Sequence, residues 1–242
     1  MSIQNGMMKR IAKLGLLLMM GVSMSAEAGF LGFGGDSWKE EVLLHDGQKI
    51  IVKRSQSYGG RHEVGQPSPI KEHTITFTLP NSNKTIKWTS EYSEDVGSAN
   101  FNLLALHVLN GTPYIVAETV GCLSYNKWGR PNPPYVFFKY GGKDWQRIQI
   151  AELPVEFKTI NVAFGMPWDI RDREVKFDKG DLLTAETIKL RNEEINIPQK
   201  RTILRDAYQY AAGECPELVL YKGAWIMPND PVMHRMLDRK NK

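Results

Sequence analysis

Charge of one sign is scarce in this 242-residue sequence: 31 basic side chains stand against 27 acidic ones, a formal net charge of +4. A protein that grips phosphate backbones carries a clustered basic excess, so nucleic acid is not an expected partner. Cysteine is scarcer still, and Cys122 with Cys215 falls short of the four ligands of a structural zinc site. The five histidines, at 45, 62, 73, 107 and 234, do not stand at metal-ligand spacing. Asp169, Asp172, Asp178 and Asp181 lack the alternate-position pattern of a calcium loop. Neither G-x-x-x-x-G-K-[ST] nor G-x-S-x-G occurs, which excludes P-loop phosphate chemistry and the nucleophile elbow of serine hydrolases. No cofactor and no metal are therefore expected. Paired carboxylates for glycoside cleavage leave no mark in sequence and stay open. At 42% hydrophobic and 24% charged, the composition is that of a folded domain and excludes wholesale disorder.

What is present begins with an address. Lys9, Arg10 and Lys13 lead into an apolar run from Leu14, closed by Ala26-Glu27-Ala28. That pattern reads as a signal peptide over residues 1–28, cleaved after Ala28, and sends the mature chain to the periplasm or outside the cell. Met1, Met7 or Met8 serves equally as start. Lys9, Arg10 and Lys13 against Glu27 make +2, so half the formal charge belongs to the leader and +2 remains. No later apolar stretch reaches the roughly 20 residues that span a bilayer, so no transmembrane anchor is expected after cleavage. In an oxidising compartment Cys122 and Cys215 are expected to pair, closing a loop of about 94 residues that stabilises by on the order of 4–5 kcal/mol. Two buried free thiols are the alternative.

Turn signals organise the rest. Strand-like runs flank Asp46-Gly47, Asn81-Ser82-Asn83, Asn110-Gly111 and Gly141-Gly142, which predicts four successive hairpins and about eight antiparallel strands. The dipeptide at 46–47 is expected to form a type I′ turn, and the one at 110–111 likewise. The strict alternation of residues 74–79 predicts a half-exposed strand, and the wholly apolar run 103–109 one covered on both faces. The expected fold is mainly β, an antiparallel hairpin-built sandwich or partly closed barrel, with one or two helices in the C-terminal third. A strand is expected at 157–164 and a helix at 198–212, where Ile203, Leu204, Ala207, Tyr208 and Ala211 recur at helical period. Residues 181–194 fit a helix or a strand, and 217–226 two strands that could complete the sheet. Residues 29–37 read as a flexible glycine-rich lead, 38–232 as one domain and 233–242 as a loose basic tail.

Two places carry side chains suited to function. Residues 121–134 form a long proline-stiffened connection with Tyr125, Lys127, Trp128 and Arg130, residue types favoured at binding hot spots. Trp128 is equally suited to plug the core, with Cys122 anchoring the segment. Arg61, His62 and Glu63 sit in a glycine-flanked loop where they could bind an anion or move a proton, or simply be solvated. The segments Trp38-Lys-Glu-Glu41, Leu43-Leu-His-Asp-Gly47, Gly59-Gly-Arg-His-Glu63 and Tyr125-Asn-Lys-Trp-Gly-Arg-Pro131 resemble those of an uncharacterised group of small exported proteobacterial proteins. That resemblance implies a bacterial envelope setting and no activity. Two functions fit. The first is a non-catalytic binding module for an envelope protein or glycan that uses the 121–134 segment. The second is an envelope hydrolase using His62 and Glu63, or an Asp of the 169–181 region.

Overall fold

A computed structural model describes residues 35–164, 182–195, 197–209 and 215–240. The expected signal peptide, the lead up to residue 34 and the aspartates at 169, 172, 178 and 181 lie outside these. In chain order the strands are β1 (Gly35–Leu43), β2 (Lys49–Tyr58), β3 (Ile70–Thr78), β4 (Thr85–Ser90), β5 (Tyr92–Ser93), β6 (Ser98–Ala99), β7 (Phe101–Leu109) and β8 (Thr112–Thr119). Helix α1 (Gly121–Lys127) precedes β9 (Val136–Tyr140), β10 (Trp145–Ile148) and β11 (Leu182–Leu183). Helix α2 (Ala185–Glu194), β12 (Val219–Tyr221), β13 (Ala224–Ile226) and α3 (Pro231–Lys240) complete the order.

The strands build two main sheets. The first runs β11-β1-β2-β3-β4, antiparallel except where β11 pairs parallel with β1; the second runs β10-β9-β8-β7, antiparallel throughout. All four expected hairpins form. At 110–111 both residues take positive φ (+50° and +72°), as a type I′ turn requires. At 46–47 only Gly47 does (+86°). There Leu44 N–H donates to Gln48 O, and the turn is a three-residue loop with one left-handed position, not the expected type I′.

Alternation decides what each face holds. Val42, Val52, Ile75, Phe77, Ile86 and Trp88 point inward from the first sheet. They meet Phe101, Leu103, Leu106, Val108, Ile115, Ala117, Val136 and Phe138 of the second, so the sheets pack face to face as a sandwich. The apolar run of β7 is indeed covered twice. Its other side, with Tyr114, Val116, Tyr135 and Phe137, is roofed by Leu153, Phe157, Ile160 and Ile203.

That roof corrects two expectations. Residues 157–164 form no strand, and beyond a 3₁₀ turn at Pro198–Lys200 residues 201–209 form no helix; residues 210–212 lie outside the described part. Ile203 N–H donates instead to Lys158 O, and Tyr135 Oη donates to the carbonyls of Gln199 and Thr202. Tertiary hydrogen bonds and the buried Ile203 outweigh the local helical period. Asn161 closes one side of the sandwich. Its Nδ2 donates to Leu43 O of β1 and Leu106 O of β7 while its Oδ1 accepts from Leu106 N, which satisfies the β7 edge and ties it to the first sheet. Lys84 Nζ to Gly142 O and Trp145 Nε1 to Lys87 O tie the β3–β4 hairpin to the β9–β10 hairpin.

Other boundaries also shift. Gly35–Ser37, expected as part of the lead, belong to β1, and residues 233–240 of the expected loose tail lie in helix α3, which begins at Pro231. Residues 217–226 yield β12 and β13, which pair with each other and not with a main sheet. Of the 181–194 stretch, the described residues 182–194 hold β11 and α2, the helix capped by Thr184, whose hydroxyl accepts from Thr187 N–H. Cys122 and Cys215 form the expected disulfide.

Candidate functional site

The 121–134 segment is turned onto the protein itself. Its first half is α1, held down where Ser124 Oγ donates to Asn100 O at 2.6 Å. Gly129 and Arg130 both take left-handed φ, and Arg130 N–H donates to Tyr125 O, which stops the helix. Tyr125 is buried; burial raises its phenol above the ordinary value, with the Arg130 charge opposing. Arg130 Nη1 reaches Asn126 Oδ1 and Pro216 O, Nη2 reaches Cys215 O, and the guanidinium lies 5.1 Å from the Tyr125 ring. Lys127 Nζ pairs with Asp95 Oδ1 at 2.6 Å; burial pushes that carboxyl up, but Lys127 holds it below its ordinary value.

Trp128 is half-buried against the core. Its ring stands 4.6 Å from that of Phe101, and Nε1 donates to Asn100 Oδ1 at 3.1 Å. Asn126, Arg130 and the disulfide thus clamp residues 215–218 onto α1, and Trp128 packs against Phe101. Replacing Trp128 with alanine should lower unfolding free energy by roughly 2–3 kcal/mol, the large-to-small cost reduced for partial exposure. Urea unfolding measures it, and an unchanged midpoint would return Trp128 to the surface.

The trio Arg61, His62 and Glu63 is not assembled into a site. Arg61 folds onto the β5–β6 ribbon, its Nη2 donating to Glu94 O at 2.9 Å and its N–H to Gly97 O. His62 is exposed and bonds through Nδ1 to Gly60 O of its own loop, while Glu63 points to solvent.

A polar interior that no sequence motif announces lies at one end of the sandwich. Glu40, fully buried in β1, accepts from Trp38 Nε1 (2.7 Å), from Arg54 Nη1 (3.1 and 3.2 Å) and from Ala163 N–H. One strand further, Gln56 Nε2 donates to His73 Nδ1 at 2.9 Å, and His73 Nε2 faces Asn102 Oδ1 at 3.4 Å. Burial, then the Arg54 charge, push His73 down to about 3. Glu40, Arg54, Gln56 and His73 occupy inward positions of their strands, the sequence signal that could have exposed them.

A groove of about 710 Å³ lies between the end of β1 and α2. The side chains of Asn161 and Asn192 both spend their polar ends on backbone groups, Asn192 on Phe164 N and Val162 O. Arg201 likewise donates to the carbonyls of Ile195 and Glu193. These groups hold α2 in place.

The outward face of the first sheet is different. Among the described residues nothing roofs it, in contrast to the second sheet, whose both faces are buried. Strand register aligns its side chains into rows that run across the strands. Lys39, Lys53, Thr76 and Lys87 are successive cross-strand partners on β1, β2, β3 and β4. Beside them runs a hydroxyl row, Ser37, Ser55, Thr74 and Thr89, in which the Thr74 and Thr89 hydroxyls bond at 3.2 Å. Lys39, Lys53 and Lys87 are exposed. Two acidic groups share this face: Glu72, and Glu41 one row from Lys39 on β1, whose carboxyl the hydrogen bond from Lys49 at 2.7 Å holds below its ordinary value.

Part of this face is legible beforehand, because the alternation of residues 74–79 places Thr74, Thr76 and Thr78 outward. The lysine row depends on which residues lie opposite one another, and that is a property of register. Fold and surface together define a disulfide-linked two-sheet sandwich with one open, lysine- and hydroxyl-bearing sheet face. Compared with protein-family models, curated proteins and solved structures, the chain matches none.

Proposed function

We propose that the chain is an exported, non-catalytic binding module of the bacterial envelope, with the open face of its five-stranded sheet as the contact surface. The observation that carries this reading is the contrast between the two sheets. Covering both faces of an interior sheet is the ordinary way to bury apolar strands, whereas a sheet face of lysine, serine and threonine that no described residue covers is available to a partner. The leader-like residues 1–28 and the Cys122–Cys215 disulfide support export. The 121–134 segment serves on this reading to fasten the C-terminal part.

The test blocks the face without changing its charge. Thr76 lies in the middle of the lysine row, and Thr76→Trp places a bulky ring there. Wild-type protein is expected to sediment with isolated envelope material from its host, and the variant to stay in the supernatant with its thermal transition intact. Equal sedimentation of both proteins would remove the open face from the account.

A further inference from the structure

We infer that the outward face of α3 is a membrane contact, on which a Val232–Met236 ridge beds into an anionic lipid surface while Arg235, Arg239 and Lys240 meet its phosphates. None of these residues belongs to the open sheet face. The β12–β13 hairpin holds the helix along one side. There the Tyr221 and His234 rings stand 4.7 Å apart, and Asp238 accepts from Tyr221 Oη at 2.8 Å and from Lys222 Nζ at 2.6 Å. Met233, His234, Leu237 and Asp238 are accordingly half-buried, whereas Val232, Arg235, Met236, Arg239 and Lys240 are exposed. Successive residues turn about 100° around a helix axis, which puts those five exposed side chains on one face.

What that face carries decides what it meets. Val232 and Met236, neighbours one turn apart, are 56% and 58% exposed. Met227, whose carbonyl accepts from Asp230 N–H just before the helix, is exposed as well. The ridge is flanked by Arg235 and Arg239 on one side and Lys240 on the other. Arg235 and Arg239 stand four residues apart, a spacing at which like charges destabilise a helix. The single acid of residues 231–240, Asp238, is spent on the hairpin. Arg239 and Lys240 also suit the negative end of the helix dipole, but Arg235, in mid-helix, gains nothing from it. Apolar side chains flanked by cations, with no acid among them, match hydrocarbon lying beneath a layer of phosphates: the ridge enters and the long cationic side chains reach back to the headgroups. A soluble acidic polymer would engage the cations and leave the ridge in water. An apolar protein groove would engage the ridge and strip the cations of their hydration. A ten-residue helix inserting two side chains grips weakly, so this contact adds to that of the open face and does not replace it. Release of Thr76→Trp from envelope material is therefore still expected.

The experiment measures co-sedimentation of the full exported chain, disulfide intact, with vesicles of phosphatidylglycerol mixed with phosphatidylcholine, and with vesicles of phosphatidylcholine alone. Binding should require phosphatidylglycerol and fall with added salt. Arg235→Glu should weaken it about thirtyfold, at roughly fivefold for each unit of charge near an anionic surface. Val232→Ser/Met236→Ser should weaken it on the order of tenfold through the apolar area no longer buried. Thermal midpoints should stay unchanged in both variants, since Arg235 bonds only within its own helix, through Nε to Pro231 O, and the ridge is exposed. Thr76→Trp should bind the vesicles as the wild type does, which separates this contact from the open face. Equal binding to both kinds of vesicle would overturn the inference, as would absence of binding to either. Undiminished binding by Arg235→Glu would remove the cations from the contact, and undiminished binding by the serine variant would leave a site for soluble polyanions instead of a bilayer; either result overturns it. So would a lowered thermal midpoint in both variants, which would make the outward face structural, or loss of vesicle binding in Thr76→Trp.

Discussion

Acidification from pH 7 to pH 4 is expected to remove about 6 kcal/mol of folding free energy, most of what a domain of this size has. The cause is two buried histidines. Burial, then the Arg54 charge, lower His73 to about 3. Burial lowers His107 to about 4, opposed by the hydrogen bond to Thr159 O and assisted by the His45 charge. Both are held neutral by their surroundings: His73 between Gln56 and Asn102, His107 stacked 4.7 Å from the Phe157 ring.

Because both values in the folded state lie below that of the unfolded chain, the unfolded chain takes up protons first as pH drops through 6.5. Stability is therefore full above about pH 6.5 and is lost as pH falls towards 4 and then 3, each histidine contributing on the order of 3 kcal/mol by pH 4. The hydrogen-bonded carboxylates Glu41 and Asp95 add their own loss, but only as pH approaches their ordinary values of 4.5 and 3.8. The interval from pH 6.5 to 5 thus isolates the histidines. Urea unfolding across it should show a slope close to two protons, and His73→Gln should reduce that slope by about one. A flat profile from pH 7 to 5 would mean that the two rings are not buried neutral.

The second large effect concerns the Glu40–Arg54 pair. Arg54→Met should lose roughly 3–5 kcal/mol, because it leaves a carboxylate sealed between the sheets that, among the described residues, keeps Trp38 Nε1 and Ala163 N–H as donors but no cation. Glu40→Gln/Arg54→Met should recover about 2 kcal/mol or more of that loss, since the amide oxygen still accepts from Trp38 and no charge remains buried. The pair is therefore expected to matter less for net stability than for which residues may stand there. A single variant as stable as the double one would show that the carboxylate gains water when Arg54 leaves.

These interior groups show where sequence reading reaches its limit. Hairpins were legible because a turn is local: Asn110-Gly111 carries its left-handed φ values wherever it is placed. The double coverage of residues 103–109 was legible because burial on both faces leaves no polar residue to alternate with, His107 excepted. Residues 198–209 misled because periodicity records where apolar side chains recur and not what their backbone bonds to. There the Lys158 carbonyl and the Tyr135 hydroxyl supplied partners that a helix would have supplied itself. Trp128 had two plausible homes, and only the position of Phe101 and Asn100 decided between them. The lysine row was out of reach for the same reason as the Glu40–Arg54 pair. Each joins residues on different strands, and register is settled by the whole sheet.

The disulfide has a mechanical consequence. It spans 93 positions, from α1 at Cys122 to Cys215. A pull applied at the two ends of the chain travels through the sulfur bridge and bypasses everything between, including β9, β10 and α2. The bridged loop would otherwise contribute about 330 Å of extension at roughly 3.5 Å per residue. Tension on the oxidised protein thus lengthens it by only the strands before Cys122 and the short segment after Cys215, whereas the reduced protein can be drawn out along its full contour. Only in the reduced form do the roof segment and half of the second sheet feel the load.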